Sequence, residues 1–408
     1  MPHPMAGRIS GFGTSIFTEM SALAVEHGAI NLSQGFPDFA GPHLVKQAAV
    51  DAIRSDYNQY APAPGLPQLR QAIADTYARD YGLVADPVHE VTVTSGATEA
   101  LCSTILATVD PGDEVIVFEP AYDAYVPDII MAGGVPRFVR LHPPDLLLGD
   151  HEQPEHAHWH FDPAALRAAF NDRTRAIIVN TPHNPTGKVF SRRELELIAG
   201  LCQEHDALAI TDEVYDRLVF EGQHLPVATL PGMWDRTITI NSTGKTFSVT
   251  GWKIGYAIAP PALTEAIRRA HQFVTFATAT PFQVAMAQAL EDAPRSGYYD
   301  VLHEFYAERR ELLVEILRAA GLDLVSPQGT FFAMAGVRTW GFARDVDFCR
   351  YLTIEVGVAA IPPSVFYAEP ATAPLMARFC FAKELATLRA AGERLKAHVV
   401  QQNAEGAT

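Results

Sequence analysis

Lys245 stands in the run Ser242-Thr243-Gly244-Lys245-Thr246-Phe247-Ser248-Val249-Thr250-Gly251-Trp252-Lys253-Ile254-Gly255, a lysine in a Ser/Gly loop with a second cation, Lys253, beyond it. An ordinary ammonium is protonated at neutral pH and is a poor nucleophile. A lysine that is to attack a carbonyl therefore needs partial desolvation and a neighbouring positive charge to lower its pKa. This loop can supply both, which is the local chemistry of a lysine that holds an aldehyde as a Schiff base. The preceding Thr237-Ile238-Thr239-Ile240-Asn241 alternates β-branched residues and reads as a strand. Lys245 then falls just past a strand's carboxyl end, where open α/β sheets place their ligands. Gly244-Lys245-Thr246 could otherwise be a surface turn, but not a P-loop, because the glycine that motif needs ahead of Gly244 is replaced by Thr239.

Other segments carry chemistry of their own. Ser95-Gly96-Ala97-Thr98 follows a predicted strand and opens a predicted helix, so its amides would meet a dianionic phosphate at the positive end of a helix dipole; a plain strand-to-helix turn is the alternative. Asp212 ends the apolar strand Ala207-Leu208-Ala209-Ile210-Thr211, where a buried carboxylate needs a cationic partner, unless it only caps a helix at Glu213-Val214-Tyr215. Arg378 beside Phe379-Cys380-Phe381 calls for an anion, either a carboxylate ligand gripped by its planar fork or a structural salt-bridge partner. Asn184-Pro185-Thr186-Gly187 reads as a turn after a strand, and Tyr122 as a half-buried tyrosine. His151, His156, His158 and His160 crowd a polar stretch, a solvated edge or insertion, or a metal site lacking acidic or Cys ligands. Cys102, Cys202, Cys349 and Cys380 have no paired spacing and read as buried free thiols.

Taken in order, Asn31-Leu32-Ser33-Gln34-Gly35-Phe36-Pro37-Asp38, Asn58-Gln59-Tyr60, Ser95-Gly96-Ala97-Thr98-Glu99-Ala100, Asn180-Thr181-Pro182-His183-Asn184-Pro185-Thr186-Gly187, Asp212-Glu213-Val214-Tyr215, the lysine loop and Ala377-Arg378-Phe379-Cys380-Phe381 form a pattern. It resembles the class I/II pyridoxal-phosphate (PLP) aminotransferases of fold type I, the aspartate aminotransferase superfamily, from about residue 14 to residue 395. The likeness is closest to the subgroup of methionine and kynurenine/glutamine aminotransferases.

The resemblance implies ping-pong transfer of an amino group between an L-amino acid and a 2-oxo acid, with PLP as cofactor. Lys245 would hold the cofactor and move the proton. Asp212 would keep its ring nitrogen protonated, and Tyr215 and Asn184 would bond its phenolic oxygen. Tyr122 would stack on the ring; Gly96, Ala97, Thr98, Ser242 and Lys253 would hold the phosphate, with Tyr60 from a neighbouring subunit, so a homodimer with shared sites follows. Gly35, Asn184 and Arg378 would take the substrate carboxylate. The same scaffold also supports carbon–sulfur β-elimination, and the family includes N-succinyldiaminopimelate aminotransferases. Ile16, Phe17, Phe36, Tyr60 and Phe331 are candidates for an apolar side-chain pocket suited to methionine, aromatic amino acids, glutamine or kynurenine. A non-catalytic PLP-binding regulator would need a DNA-binding domain, for which the N-terminal arm is too short and insufficiently basic.

The elements that must position these groups alternate. Short β-branched runs at 91–94, 114–118, 135–139, 176–180, 207–211, 237–242 and 254–259 are separated by helical patterns, such as Thr98 to about Val109 and Arg192 to Glu204, as in βαβ units. Past Pro281, amphipathic helices mix with short strands near 322–326, 330–335 and 376–381. The expected architecture is α/β: a mostly parallel seven-stranded sheet between helices in a large domain (46–290), and a smaller α+β domain (291–408) that, by the resemblance, also takes in the N-terminal arm (1–45). At 408 residues, 48% hydrophobic and 19% charged, the chain can bury a large core. A formal charge of −16 argues against nucleic acid or anionic membrane as partner. No apolar run approaches the ~20 residues of a membrane span, and Met1 to Arg8 lack a signal-peptide stretch, so the cytoplasm is the expected compartment.

Overall fold

The computed structural model describes residues 5–148 and 157–406. Its strands run β1 (Ile30–Asn31), β2 (Val91–Ser95), β3 (Glu114–Glu119), β4 (Val135–His142), β5 (His160–Phe161), β6 (Thr174–Asn180), β7 (Leu208–Asp212), β8 (Thr237–Ser242), β9 (Ile254–Ile258), β10 (Phe332–Gly336), β11 (Val358–Ala359) and β12 (Met376–Cys380). The main sheet has the order β2-β9-β8-β7-β6-β3-β4-β5. Its centre is parallel, and β9 runs antiparallel between β2 and β8.

The central strands read as unbroken apolar runs because both faces are covered. Ile116, Phe118, Ile177 and Val179 pack with Leu195 and Ile198 of the helix Arg192–Glu204, while Val115, Val117, Ile178 and Ile240 pack with Leu101 and Ile105 of the helix Gly96–Thr108 on the other side. The helix Arg192–Glu204 starts where it was predicted to, held by a reciprocal capping box between Ser191 and Glu194.

A second core joins the chain's two ends. Met20 and Leu32 pack with residues of the helix Tyr298–Ala319, of the antiparallel pair β10/β12 and of the helix Leu385–Gly406, and β1 pairs in parallel with β11. Two expectations need correction. The stretch 322–326 is not a strand: only Asp323 makes an isolated bridge, to Gly336. An eighth strand, β5, was not foreseen; its two residues include His160, paired with His142 at the sheet edge. His151 and His156 lie outside the described residues, among which no cluster of His, Cys, Asp or Glu could hold a metal. Among the described residues no helix is long and apolar enough to cross a membrane.

The topology has one consequence for chemistry. Strands β2, β3, β6, β7 and β8 point the same way, so Ser95, Glu119, Asn180, Asp212 and Ser242 end on one edge of the sheet. That edge is where a doubly wound sheet opens a crevice.

Candidate active site

Lys245 lies in the single-turn helix Thr243–Thr246 directly after β8, with the Gly244 amide donating to Ser242 Oγ at 3.2 Å. Its Nζ donates to the Gly35 carbonyl at 3.1 Å and faces the rings of Phe331 and Tyr215, 5.1 and 5.7 Å from their centroids. Burial lowers the ammonium to about 8; Arg378 and, more weakly, Lys253 push the same way, against Cys380 and Asp212. The depressing charge anticipated from Lys253 thus comes chiefly from Arg378, which the topology brings in from β12.

Asp212, at the end of β7, is buried, and burial raises its carboxyl to about 6. The opposing influences are the Tyr125 hydroxyl, which donates to Oδ2 at 2.7 Å, the Val214 amide, 3.4 Å from Oδ1, and the Lys245 charge. A turn follows, not a helix, so Asp212 is no helix cap. Asn180 braces this edge: its Nδ2 donates to the Asp212 carbonyl at 2.8 Å, and its Oδ1 accepts the Asn184 amide at 2.7 Å. Tyr215 is buried, with its ring edge-on to Phe331 at 5.1 Å. Burial holds its hydroxyl well above the ordinary phenol range, so it stays a donor.

At the start of the helix Gly96–Thr108, backbone and side chain come unusually close. Gly96 has φ +77°, and a Cβ there would sit 2.9 Å from Lys253 Nζ. A Cβ on Gly255 would lie 2.3 Å from the Gly96 carbonyl carbon, so β9 can reach this turn only as glycine. Lys253 Nζ donates to Thr98 Oγ1 at 3.3 Å, and burial lowers its pKa. Open amides at a helix start, a hydroxyl and an ammonium make an anion seat.

Arg378 on β12 is buried, with its guanidinium 4.1 Å over the Phe332 ring. Nη1 donates to Asn184 Oδ1 at 3.1 Å and Nη2 to the Ser33 carbonyl at 2.9 Å, so its hydrogen bonds go to neutral oxygens. Burial lowers it to about 10, and its Nε has no acceptor among the described residues. A buried donor left over on a cation is an invitation to an anionic ligand.

These groups enclose one cavity of about 260 Å³. Every residue named from the sequence for cofactor or substrate lines it except Tyr60, which is 84% exposed and packs edge-on to Phe276 at 5.4 Å. Of the apolar candidates, only Phe17 lines the cavity. Phe331 sits behind Lys245 and Tyr215, Phe36 is half exposed against Lys383, and Ile16 packs on the second core. Tyr125, Asn180, Gln34 and Phe332 line the cavity and were missed. The spacing of Tyr125, three residues past Tyr122 at a helix start, was the one signal available for it.

Comparison with known proteins adds an independent line. The family described as aminotransferase class I and II matches residues 27–395. Methionine aminotransferase of Escherichia coli is 42% identical over 390 residues, covering 95% of this chain and 97% of that protein. Kynurenine–oxoglutarate transaminase 1 of Homo sapiens is 39% identical over 414 residues, covering 96% and 97%. The solved structure of N-succinyldiaminopimelate aminotransferase from Mycobacterium tuberculosis superposes with a TM-score of 0.90 at 42% identity, covering 96% of this chain and 99% of that one.

Proposed function

The chain belongs to the class I and II aminotransferases and is an amino-acid aminotransferase, and from that premise we propose that it uses PLP to take the amino group from donors with an uncharged side chain, of the methionine, aromatic, glutamine or kynurenine type. One observation carries the choice of donor. Among the described residues the cavity's only charged side chains are Asp212, Lys245, Lys253 and Arg378, all needed for cofactor and α-carboxylate, and Phe17 and Phe332 form walls beside them. A distal carboxylate on the donor would meet no second arginine among the described residues that line the cavity, and burying it unpaired would be costly.

The residues fit PLP. The seat at Gly96, Ala97, Thr98, Ser242 and Lys253 suits its phosphate, and Asp212 its ring nitrogen. When bound, PLP supplies an aldehyde for covalent attachment and a cationic ring that draws electrons from the donor's Cα. Asp212 holds the proton on the ring nitrogen, its carboxylate fixed by Tyr125. Tyr215 donates its hydroxyl to the phenolic oxygen, and Asn184, whose Oδ1 is engaged by Arg378, has its Nδ2 left to donate there. Tyr122 covers the ring. Arg378 orients the donor through its α-carboxylate, and Lys245 Nζ, lowered to about 8, takes the Cα proton and later returns it.

The same reading assigns the protein to the cytoplasm and to a homodimer, the latter supported by the exposed Tyr60, Phe273 and Phe276, apolar surface for a second subunit to cover. It also groups residues 1–45 with 291–408 around a large domain of 46–290, supported by the core that joins both ends.

A panel of amino donors against one oxo acid tests the assignment. Methionine, phenylalanine, glutamine and kynurenine should exceed aspartate and N-succinyldiaminopimelate in kcat/KM by at least about 100-fold. The reverse order, or faster release of pyruvate and ammonia from a cysteine conjugate than amino transfer, would defeat it. Arg378→Lys should raise the donor KM by about 10- to 100-fold with a smaller loss in kcat, because a point charge cannot replace the fork. An unchanged KM would remove Arg378 from the carboxylate site.

A further inference from the structure

His271, buried on the helix Pro261–Val274, meets two acceptors at once. Its Nδ1 lies 3.0 Å from Glu99 Oε1 and 3.2 Å from Oε2, and its Nε2 lies 2.8 Å from the Ala63 carbonyl oxygen. A neutral imidazole has one N–H, so serving a carboxylate and a carbonyl together takes an imidazolium, or a proton shared along the Nδ1···Oε line. Glu99 is tied as well: Oε2 accepts the Ser95 amide at 3.0 Å, and Oε1 accepts the Ser103 hydroxyl. Burial pulls the His271 pKa down, but Glu99 and the Ala63 carbonyl outweigh it and the result is a rise. The other charged or titratable groups facing the pair are Arg268, on the helix of His271 and opposed to its proton, and the Cys102 thiol, on the helix of Glu99.

The pair joins three pieces of chain at one end of the cavity. Glu99 is in the first turn of the helix whose start forms the anion seat. Ala63 belongs to the segment that carries Tyr60. Phe276, which receives the Tyr60 ring, follows the helix of His271 and returns its amide to the His271 carbonyl at 3.1 Å. We propose that His271 is a positioning residue: through Glu99 it clamps the Ser95–Thr98 turn to the Tyr60 segment, and the turn's affinity for a phosphate monoester falls when the pair loses its proton. This rests on the reading of that turn and Lys253 as the phosphate seat. Because the folded-state pKa is raised, the clamp is complete below the ordinary histidine value of about 6.5 and is lost as pH rises through the raised one.

Titrating the cofactor-free protein with PLP and, separately, with pyridoxal, which lacks the phosphate, tests this by absorbance from about pH 6 to about pH 9. The ratio of the two Kd values cancels what Lys245 and Asp212 contribute. In the wild type the phosphate's advantage should shrink at the alkaline end. In His271→Gln it should be about tenfold smaller at the acidic end and independent of His271's titration, with pyridoxal binding little changed. Glu99→Gln, which keeps an acceptor for Ser95 and guards against a variant that simply fails to fold, should flatten the profile too. Equal loss of PLP and pyridoxal in His271→Gln, or a wild-type profile in Glu99→Gln, overturns the proposal. Equal wild-type affinity for PLP and pyridoxal would overturn the phosphate seat instead, so the two failures are distinguishable.

Discussion

Replacing Lys245 with alanine is expected to lower amino transfer by more than about 10⁴-fold, the combined loss of a covalent anchor and a proton carrier. The size follows from the absence of a substitute in the cavity among the described residues. Lys253 Nζ is engaged with Thr98, and Arg378, lowered only to about 10, keeps its proton at neutral pH. Lys245 differs from both because burial brings it to about 8, close enough to neutrality for a useful fraction to be the free amine. Single-turnover absorbance with a good donor measures the loss. Borohydride reduction followed by peptide mass analysis should place the cofactor adduct on residue 245 of the wild type and nowhere in the variant. A variant that transfers within about tenfold of the wild type would leave Lys245 with no role in the chemistry.

How much of this was legible beforehand depends on whether a residue's task leaves a local trace. Lys245, Asp212 and Asn184 each follow a β-branched or apolar run, so strand period and turn chemistry together put them at one edge of a sheet. Arg378 was legible as a cation inside an apolar strand. What could not be read was pairing across the sheet. The β10/β12 register sets Phe332 opposite Cys380, a diagonal neighbour of Arg378, so Phe332 and not Phe331 lies under the guanidinium. Tyr125 drew no reading of its own because its partner, Asp212, is supplied by a strand far along the chain. The stretch at 322–326 read as a short strand, but only Asp323 found a partner, and propensity without a ladder does not make a strand. The edge strand His160–Phe161 was too short to carry a period at all.

The second large effect is expected at Asp212, and it has two signs. Asp212→Asn should lower transfer by about 10³-fold, because a neutral amide cannot hold the ring nitrogen in its charged form. The same change should stabilise the cofactor-free protein. The folded-state pKa of Asp212 is raised from 3.8 to about 6, so the native state binds a proton more tightly than the unfolded chain does. Its contribution is therefore most favourable below about pH 4 and declines as pH rises to about 6, beyond which the ionised carboxylate costs up to about 3 kcal/mol. Asparagine has nearly the same shape: its Oδ1 can accept the Val214 amide while its Nδ2 donates to the Tyr125 hydroxyl oxygen, whose O–H can turn away, so the variant removes the buried charge and reverses one hydrogen bond. Thermal unfolding of the cofactor-free forms should show the variant ahead at pH 8 and the gap closing toward pH 4. With PLP bound the order should reverse, since the ligand stabilises by an amount that grows with the logarithm of its affinity and only the wild type offers the ring a counter-charge. A cofactor-free variant no more stable than the wild type at pH 8 would mean that the carboxylate is already compensated within the protein. The cationic ring would then not be the partner Asp212 is built to meet.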